Sequence, residues 1–269
     1  MSHKISVCTA SYHPFTLDDA LKGISEAGFK YIEISALSGW MEDVMPDFSF
    51  RQIMNVKEKI KNYDLTCVAL SGHCSVMDPA RLPDFIANIQ LANFFGAEAI
   101  VSSIDEAHGH ENTDRDPNAN SLPETLDMLG EVCKNYGLLL ALETHGEAYG
   151  TGAAIKKVLE DVRSENVIIN YDPGNVIFYA EQDPVKDLQS CLDKVGYMHL
   201  KDKAGPARKW DFPALGDGYV QLDELIKMVK DDITLSIEIQ FVEEGPSSLD
   251  EVNTAVKKSH DYLKKLGVF

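Results

Sequence analysis

Short apolar runs alternate with longer amphipathic stretches from one end of the chain to the other. Runs rich in Val, Ile and Leu fall at 5–10, 31–36, 66–71, 99–103, 138–144, 167–172, 197–201 and 234–240. Each is followed by turn residues and then by apolar positions at helical spacing, so the pattern predicts about eight strand–helix units. Helix starts are marked by Thr16, Ser49 and Ser121, whose hydroxyls can accept the first free backbone N–H groups; Glu124 stands where a capping box needs an acid. Gly28, Gly96 and Gly137 stand where the helical periodicity ends, positions at which a left-handed residue stops a helix and feeds the next strand. Such repeats favour a parallel sheet covered by helices. About eight in this length are what an α/β fold of the closed (β/α)8 TIM barrel type needs, with its active site at the C-terminal face of the strands. A doubly wound open sheet is the alternative. No linker, low-complexity tract or compositional shift interrupts the series, which reads as one domain over 1–269.

Two loops depart from this rhythm. Residues 38–48 carry Trp40, Met41, Met45 and Phe48 among acids, and residues 106–120 are polar and include His108 and His110. Long loops without regular structure in a compact domain are often functional lids, and both would follow strands at the barrel mouth. A solvated insertion is the alternative for the second.

Charge narrows the function classes. Lys and Arg number 25 against 43 Asp and Glu, a formal net charge of −18, which speaks against a nucleic-acid partner because phosphate backbones are held by clustered cations. The five cysteines (Cys8, Cys67, Cys74, Cys133, Cys191) are odd in number, widely spaced and without a CxxC pair, as suits buried reduced thiols. The N-terminus has no basic segment leading a long apolar one, and no stretch approaches the roughly 18 apolar residues of a membrane span. The expectation is a soluble, cytoplasmic protein with no membrane partner.

Alternate side chains of a strand share a face, so Glu143 and His145 point the same way, into the barrel mouth, while Leu138, Leu140 and Leu142 face the helices. The following strands repeat the arrangement. Asp172 ends an apolar run before Pro173-Gly174-Asn175, His199 and Lys201 share a face, and Glu238 lies between isoleucines in register with Gln240. For one strand alone, a salt-bridged core glutamate is the simpler reading. Four consecutive strands each presenting a ligand-type residue make a converging Glu/Asp/His/Glu set, and carboxylates so close would repel unless a cation held them. Three carboxylates and one imidazole suit a single divalent ion, Mn²⁺ first, with Mg²⁺, Co²⁺ or Zn²⁺ as alternatives; without thiolates a closed structural zinc site does not fit.

The strand series and the motifs Glu143-Thr-His145, Tyr171-Asp172-Pro-Gly-Asn175, His199-Leu-Lys-Asp202, Leu215-Gly-Asp-Gly218 and Ser236-Ile-Glu238 together resemble the xylose-isomerase-like barrel superfamily of sugar isomerases and epimerases. The resemblance spans nearly the whole chain. It implies one divalent metal on Glu143, Asp172, His199 and Glu238, with Glu143 and Glu238 also flanking the substrate as acid and base. His73 lies where relatives often place a substrate-facing histidine. His13, Trp40, Asn175 and Lys201 complete the expected substrate-binding set. Glu33, mid-strand between isoleucines, is expected in a supporting or structural role, and Cys74 as packed rather than reactive. Gly216-Asp217-Gly218 reads as a turn rather than a phosphate cradle. Lys201, Lys203 and Arg208 can hold a phosphate or pair with neighbouring acids.

The superfamily also contains DNA-repair endonucleases, which need a multinuclear zinc cluster and a cationic face that −18 does not offer. The expected reaction is abstraction of a proton alpha to a carbonyl of a small carbohydrate, through a metal-stabilised enediolate. Return of the proton on the opposite face gives epimerisation, and return at the neighbouring carbon gives aldose–ketose isomerisation. The alternative is a metal-dependent lyase or dehydratase acting on 3-oxo-sugars or 3-oxo-glycosides, with His145 as base and a partner subunit. A homo-oligomer fits the first reading, and a non-catalytic sugar-binding subunit is the reading from outside enzymology.

Overall fold

A computed structural model describes residues 3–105 and 120–269. Eight parallel strands carry the fold: β1 Lys4–Cys8, β2 Tyr31–Leu37, β3 Thr66–Ser71, β4 Ala99–Ser102, β5 Leu139–Glu143, β6 Val167–Tyr171, β7 Val195–Leu200 and β8 Thr234–Ile237. They pair in chain order, and β8 returns to β1 while β1 pairs β2, so the sheet closes into a single (β/α)8 barrel and the open-sheet alternative falls. Closure abolishes the sheet edges, and every strand is flanked by two parallel neighbours.

Alternation along each strand separates two cores. Leu140 and Leu142 face outward into the large shell shared with the helices, whereas Ala141 points inward with Ala69, Ala99, Val101 and Tyr197, packed by Leu139 and Ile168. The small inward side chains leave room at the upper end of the barrel for larger polar groups. Helices cover the outside from caps legible in the sequence. Thr16 and Ser49 accept from Asp19 N–H and Gln52 N–H, opening Leu17–Ala27 and Phe50–Asn62. At Leu122–Asn135, Glu124 accepts from both the N–H and the hydroxyl of Ser121. Gly28 closes the first helix at φ 105°, a left-handed conformation that a side chain would strain.

The 38–48 loop is more ordered than its composition suggests. Met41–Glu42 pairs antiparallel with the end of β2, Met41 and Val44 are buried, and Asp43 is buried beside them. A second short pair, Asp211–Phe212 with Phe241–Val242, ties the loop after β7 to the loop after β8. Of the polar segment 106–120, residues 106–119, including His108 and His110, lie outside the described residues. No helix among the described residues is long and apolar enough to cross a membrane.

Burial pushes the Asp43 carboxyl up to about 6, against opposing hydrogen bonds from Thr9 and Ser35. A carboxyl whose folded pKa is raised costs stability as pH rises from its unfolded value, near 4, to the folded one. Asp43→Asn is therefore expected to stabilise the protein above pH 6 by up to about 3 kcal/mol and to have little effect near pH 4. Thermal melts of both proteins at the two pH values check this, and a gain equal at both would show that charge is not the cause.

Candidate metal centre and active site

The last residues of β5 to β8 bring four ligand-type side chains into one buried cluster. Single donor atoms from Glu143, Asp172, His199 and Glu238 all lie within 4.8 Å of one another. Glu143 ends β5. Asp172 follows β6 directly and caps the helix Pro173–Ala180, where its Oδ1 accepts from Asn175 N–H at 2.9 Å. That cap commits one carboxylate oxygen to the helix and turns the other, Oδ2, to the cluster. His199 sits on β7 beside Ser236 of β8, and Glu238 follows β8, its N–H bonded to Leu200 O at 3.1 Å.

His199 is the hub. Its Nε2 lies 3.1 Å from both oxygens of Glu33, which is fully buried on β2. A carboxylate only accepts, so Nε2 carries a proton toward Glu33; Nδ1 faces the cluster, 3.0 Å from Glu143 Oε1 and 3.3 Å from Glu238 Oε2, and carries a second one, because, although burial opposes the charge, Glu33 and Glu143 hold the imidazole well above its ordinary range. A cation at the cluster would take the place of the Nδ1 proton. Tyr197 donates to Glu33 Oε2 at 2.8 Å and fixes that carboxylate from below. A carboxylate behind a histidine is the usual support of an imidazole ligand, setting its tautomer and ring orientation. Glu33, expected in a supporting role, is thus placed directly behind the ligand-type histidine.

Lys201 reaches the cluster from the same face of β7. At 2% exposure its Nζ stands 2.8 Å from Asp172 Oδ2, 2.7 Å from Glu238 Oε2 and 3.2 Å from Asn175 Oδ1. Its stem passes so close over Gly174 that a Cβ there would meet Lys201 Cγ at 2.9 Å, which requires glycine at the start of that helix. Asn175 completes the link by donating from Nδ2 to Glu143 Oε1 at 3.2 Å.

Four buried carboxylates, Glu33, Glu143, Asp172 and Glu238, therefore face Lys201 and His199, with His73 at the edge against Glu143. Burial alone would raise the Glu143 carboxyl, but His199, His73 and Lys201 hold it well below the usual range. Burial opposes the ionisation of Glu238 as well, yet Lys201 and His199 draw it down to about 2. Asp172 is left over: burial pushes it up to about 7, against the pull of Lys201 and with the help of Glu143 and Glu238. Asp172 Oδ2 and Glu238 Oε2 accept no well-directed hydrogen bond although Lys201 Nζ is in ion-pair range. The cluster is short of positive charge, and its three carboxylates and one imidazole nitrogen fit a single hard or borderline divalent ion.

The remaining sequence candidates sit around this cluster. His73 Nε2 is 3.4 Å from Glu143 Oε2, and the His73 and His145 rings are 6.4 Å apart. His145 lies just past the end of β5 in extended conformation, its Nε2 2.9 Å from the hydroxyl of Tyr179. Gln240 donates to Glu238 Oε1 at 2.9 Å. His13 stacks on Trp40 at 5.0 Å, and both line a cavity that includes Gln240, beside the cluster rather than in it. Lys203 and Arg208 are occupied elsewhere, Lys203 by the carbonyls of Ala204 and Pro206, Arg208 by Glu147 and Glu181. The 216–218 segment is a turn whose Gly216 and Gly218 N–H groups donate to Asp202, as do those of Lys203 and Val220. Cys74 is buried. Tyr179 and Trp210 were not legible as site residues: they lie on a helix and in a loop, where no strand alternation assigns a direction.

The xylose isomerase-like TIM barrel family model matches residues 21–266. Over 209 residues, 67% of this chain and 69% of the relative, the sequence is 24% identical to an inosose dehydratase of Clostridium perfringens. The fold superposes on a D-allulose 3-epimerase from Methylomonas sp. with a TM-score of 0.74 at 17% identity, covering 98% of each chain. It also superposes on a xylose isomerase-like TIM barrel protein from Mycobacterium smegmatis in complex with magnesium, with a TM-score of 0.76 at 17% identity over 98% of this chain and 96% of that one. At such identities the superpositions establish the fold. With a closed barrel, and a family match that runs from the first helix into the last, the chain belongs to the xylose isomerase-like TIM barrel family.

Proposed function

We propose that the protein is an enzyme that epimerises or isomerises a small polyhydroxylated carbonyl compound, a sugar or close relative, by moving a proton at the carbon beside the carbonyl. The observation that carries this reading is the pair Glu143 and Glu238. They come from β5 and β8, the two ends of a four-strand arc, and meet at His199 Nδ1 from 3.0 and 3.3 Å. Two carboxylates so placed can serve opposite faces of one carbon. Glu143, Asp172, His199 and Glu238 would hold one divalent ion, Mn²⁺ first by its liking for mixed oxygen and nitrogen donors, which when bound supplies Lewis-acid polarisation of the carbonyl and its neighbouring hydroxyl.

The chain's own groups do the rest. One glutamate takes the proton and the other returns it, giving the epimer at the same carbon or the isomer at the next. Asn175 and His199 fix Glu143 Oε1, leaving Oε2 toward His73, while Gln240 fixes Glu238 Oε1. Lys201, spent on Asp172, Glu238 and Asn175, orients the carboxylates rather than reaching for a phosphate. All five cysteines are buried and none is in a disulfide, which suits a cytoplasmic setting. Incubation of the Mn²⁺-loaded protein with ketoses, their phosphates and 3-oxo-glycosides in D₂O, followed by NMR, tests the reading. Deuterium should enter the substrate at the carbon beside the carbonyl; binding without exchange would leave only a sugar-binding subunit.

A second reading is favoured by one contact. The His145–Tyr179 pair, joined at 2.9 Å, is an acid–base couple beside the glutamates, and dehydration needs such a group for the departing oxygen. The inosose dehydratase relative supports this reading. His145→Ala separates the two. For the epimerase or isomerase the lost contact is one hydrogen bond to a substrate hydroxyl, so KM should rise about tenfold with kcat within about threefold. A fall in kcat of about 10²–10⁴ with elimination products would establish the dehydratase.

A further inference from the structure

Two of the four donors proposed for the ion already face a cation. Lys201 Nζ lies 2.8 Å from Asp172 Oδ2 and 2.7 Å from Glu238 Oε2. These are the oxygens left to the cluster once Asn175 N–H has taken Asp172 Oδ1 and Gln240 has taken Glu238 Oε1. Neither accepts a well-directed hydrogen bond from the lysine, so the ammonium is held there by charge more than by fit.

The fold makes room for this cation. The lysine stem runs over Gly174, where a Cβ would meet Lys201 Cγ at 2.9 Å, and the whole side chain is buried. Two of its partners lie outside the donor set: Asn175 Oδ1 at 3.2 Å, and the face of Phe212, whose centre is 5.3 Å from Nζ. They give the ammonium a place to remain when the two carboxylate oxygens turn to another cation. Buried carboxylates with no cation among them are strongly destabilising, because they repel one another and cannot reach water. A divalent ion arriving beside a fixed ammonium is in turn repelled by it. One side chain thus acts in opposite directions on the metal-free and the metal-bound protein.

We propose that Lys201 is a built-in stand-in for the metal: it holds the donor carboxylates of the metal-free protein together and competes with the divalent ion for Asp172 Oδ2 and Glu238 Oε2, so that the ion binds more weakly than its four donors alone would hold it. The proposal rests on the metal reading above and deepens it.

Lys201→Met keeps an unbranched stem over Gly174 and removes the charge. Titrated with Mn²⁺ by calorimetry, the variant should bind tenfold or more tightly than the wild type. Its metal-free form should melt at a lower temperature and gain more on Mn²⁺ saturation than the wild type does. Mn²⁺-loaded crystals of the wild type give a measurement that needs no variant: Lys201 Nζ should have left at least one of the two oxygens while staying with Asn175 Oδ1. Equal or weaker Mn²⁺ affinity in a folded variant, an undiminished melting temperature without metal, or both ion pairs intact beside a bound ion would overturn the proposal and make the lysine a support of the ligands. Mn²⁺ binding by neither protein would overturn the metal reading, and this proposal with it.

Discussion

Glu238→Gln is expected to abolish metal binding and turnover together. The carboxylate is asked to do three things at once: it faces His199 Nδ1 at 3.3 Å, balances Lys201 at 2.7 Å and is placed to carry a proton on the substrate. A positioned acid or base contributes about 10²–10⁴ in rate, and loss of a charged ligand comes on top of it, so turnover should fall by at least about 10⁴. Mn²⁺ affinity by calorimetry should fall in parallel while far-UV circular dichroism stays that of the wild type. The amide keeps the shape of the side chain and its one oxygen can still accept from Gln240, and the strand pairing that builds the barrel does not depend on this carboxylate. A folded variant with normal metal affinity and turnover would remove Glu238 from the site.

The second large effect is predicted away from the cluster, at Glu33. This side chain is fully buried; it holds His199 Nε2 and is held by Tyr197. Groups behind a ligand typically govern metal affinity by 10–100-fold, because they fix the tautomer and raise the basicity of the nitrogen that binds. Glu33→Gln replaces an acceptor-only carboxylate with an amide that can also present its NH₂, which allows the Nε2 proton to move to Nδ1. Mn²⁺ affinity should drop by about 10–100-fold, with activity recovering at saturating Mn²⁺. Recovery distinguishes Glu33 from Glu238, whose loss excess metal does not repair. Unchanged affinity in Glu33→Gln would mean that the carboxylate serves packing alone.

Strand alternation carried most of the site from sequence. Glu143, His199, Lys201 and Glu238 lie at or next to strand ends, where a period of two assigns a direction and four successive strands assign a common mouth. Asp172 was legible because Pro173 and Gly174 mark the end of a strand and the start of a helix, and the structure gives it both roles, cap and cluster member. Helix starts at Thr16, Ser49 and Ser121 were legible for the same reason: capping is a local interaction within three residues. What could not be read depends on distant contacts. The link between Glu33 and His199 joins residues 166 apart in sequence, and only barrel closure brings β2 opposite β7. The pairing of Met41–Glu42 with β2, in a loop that reads from sequence as a lid, was hidden because two residues are too few for a period. Trp210 gained its place through the short pair between the loops after β7 and β8, which holds Phe212 beneath Lys201.

Glu143, Asp172, His199 and Glu238 are expected to share one ion. Crystals grown with Mn²⁺ and measured for anomalous scattering decide it. A single strong peak is expected among those four side chains, on the Nδ1 side of His199, with Glu33 still against Nε2. A cluster without a peak at saturating Mn²⁺, or a peak elsewhere that leaves these four residues in their ion pairs with Lys201, would contradict it.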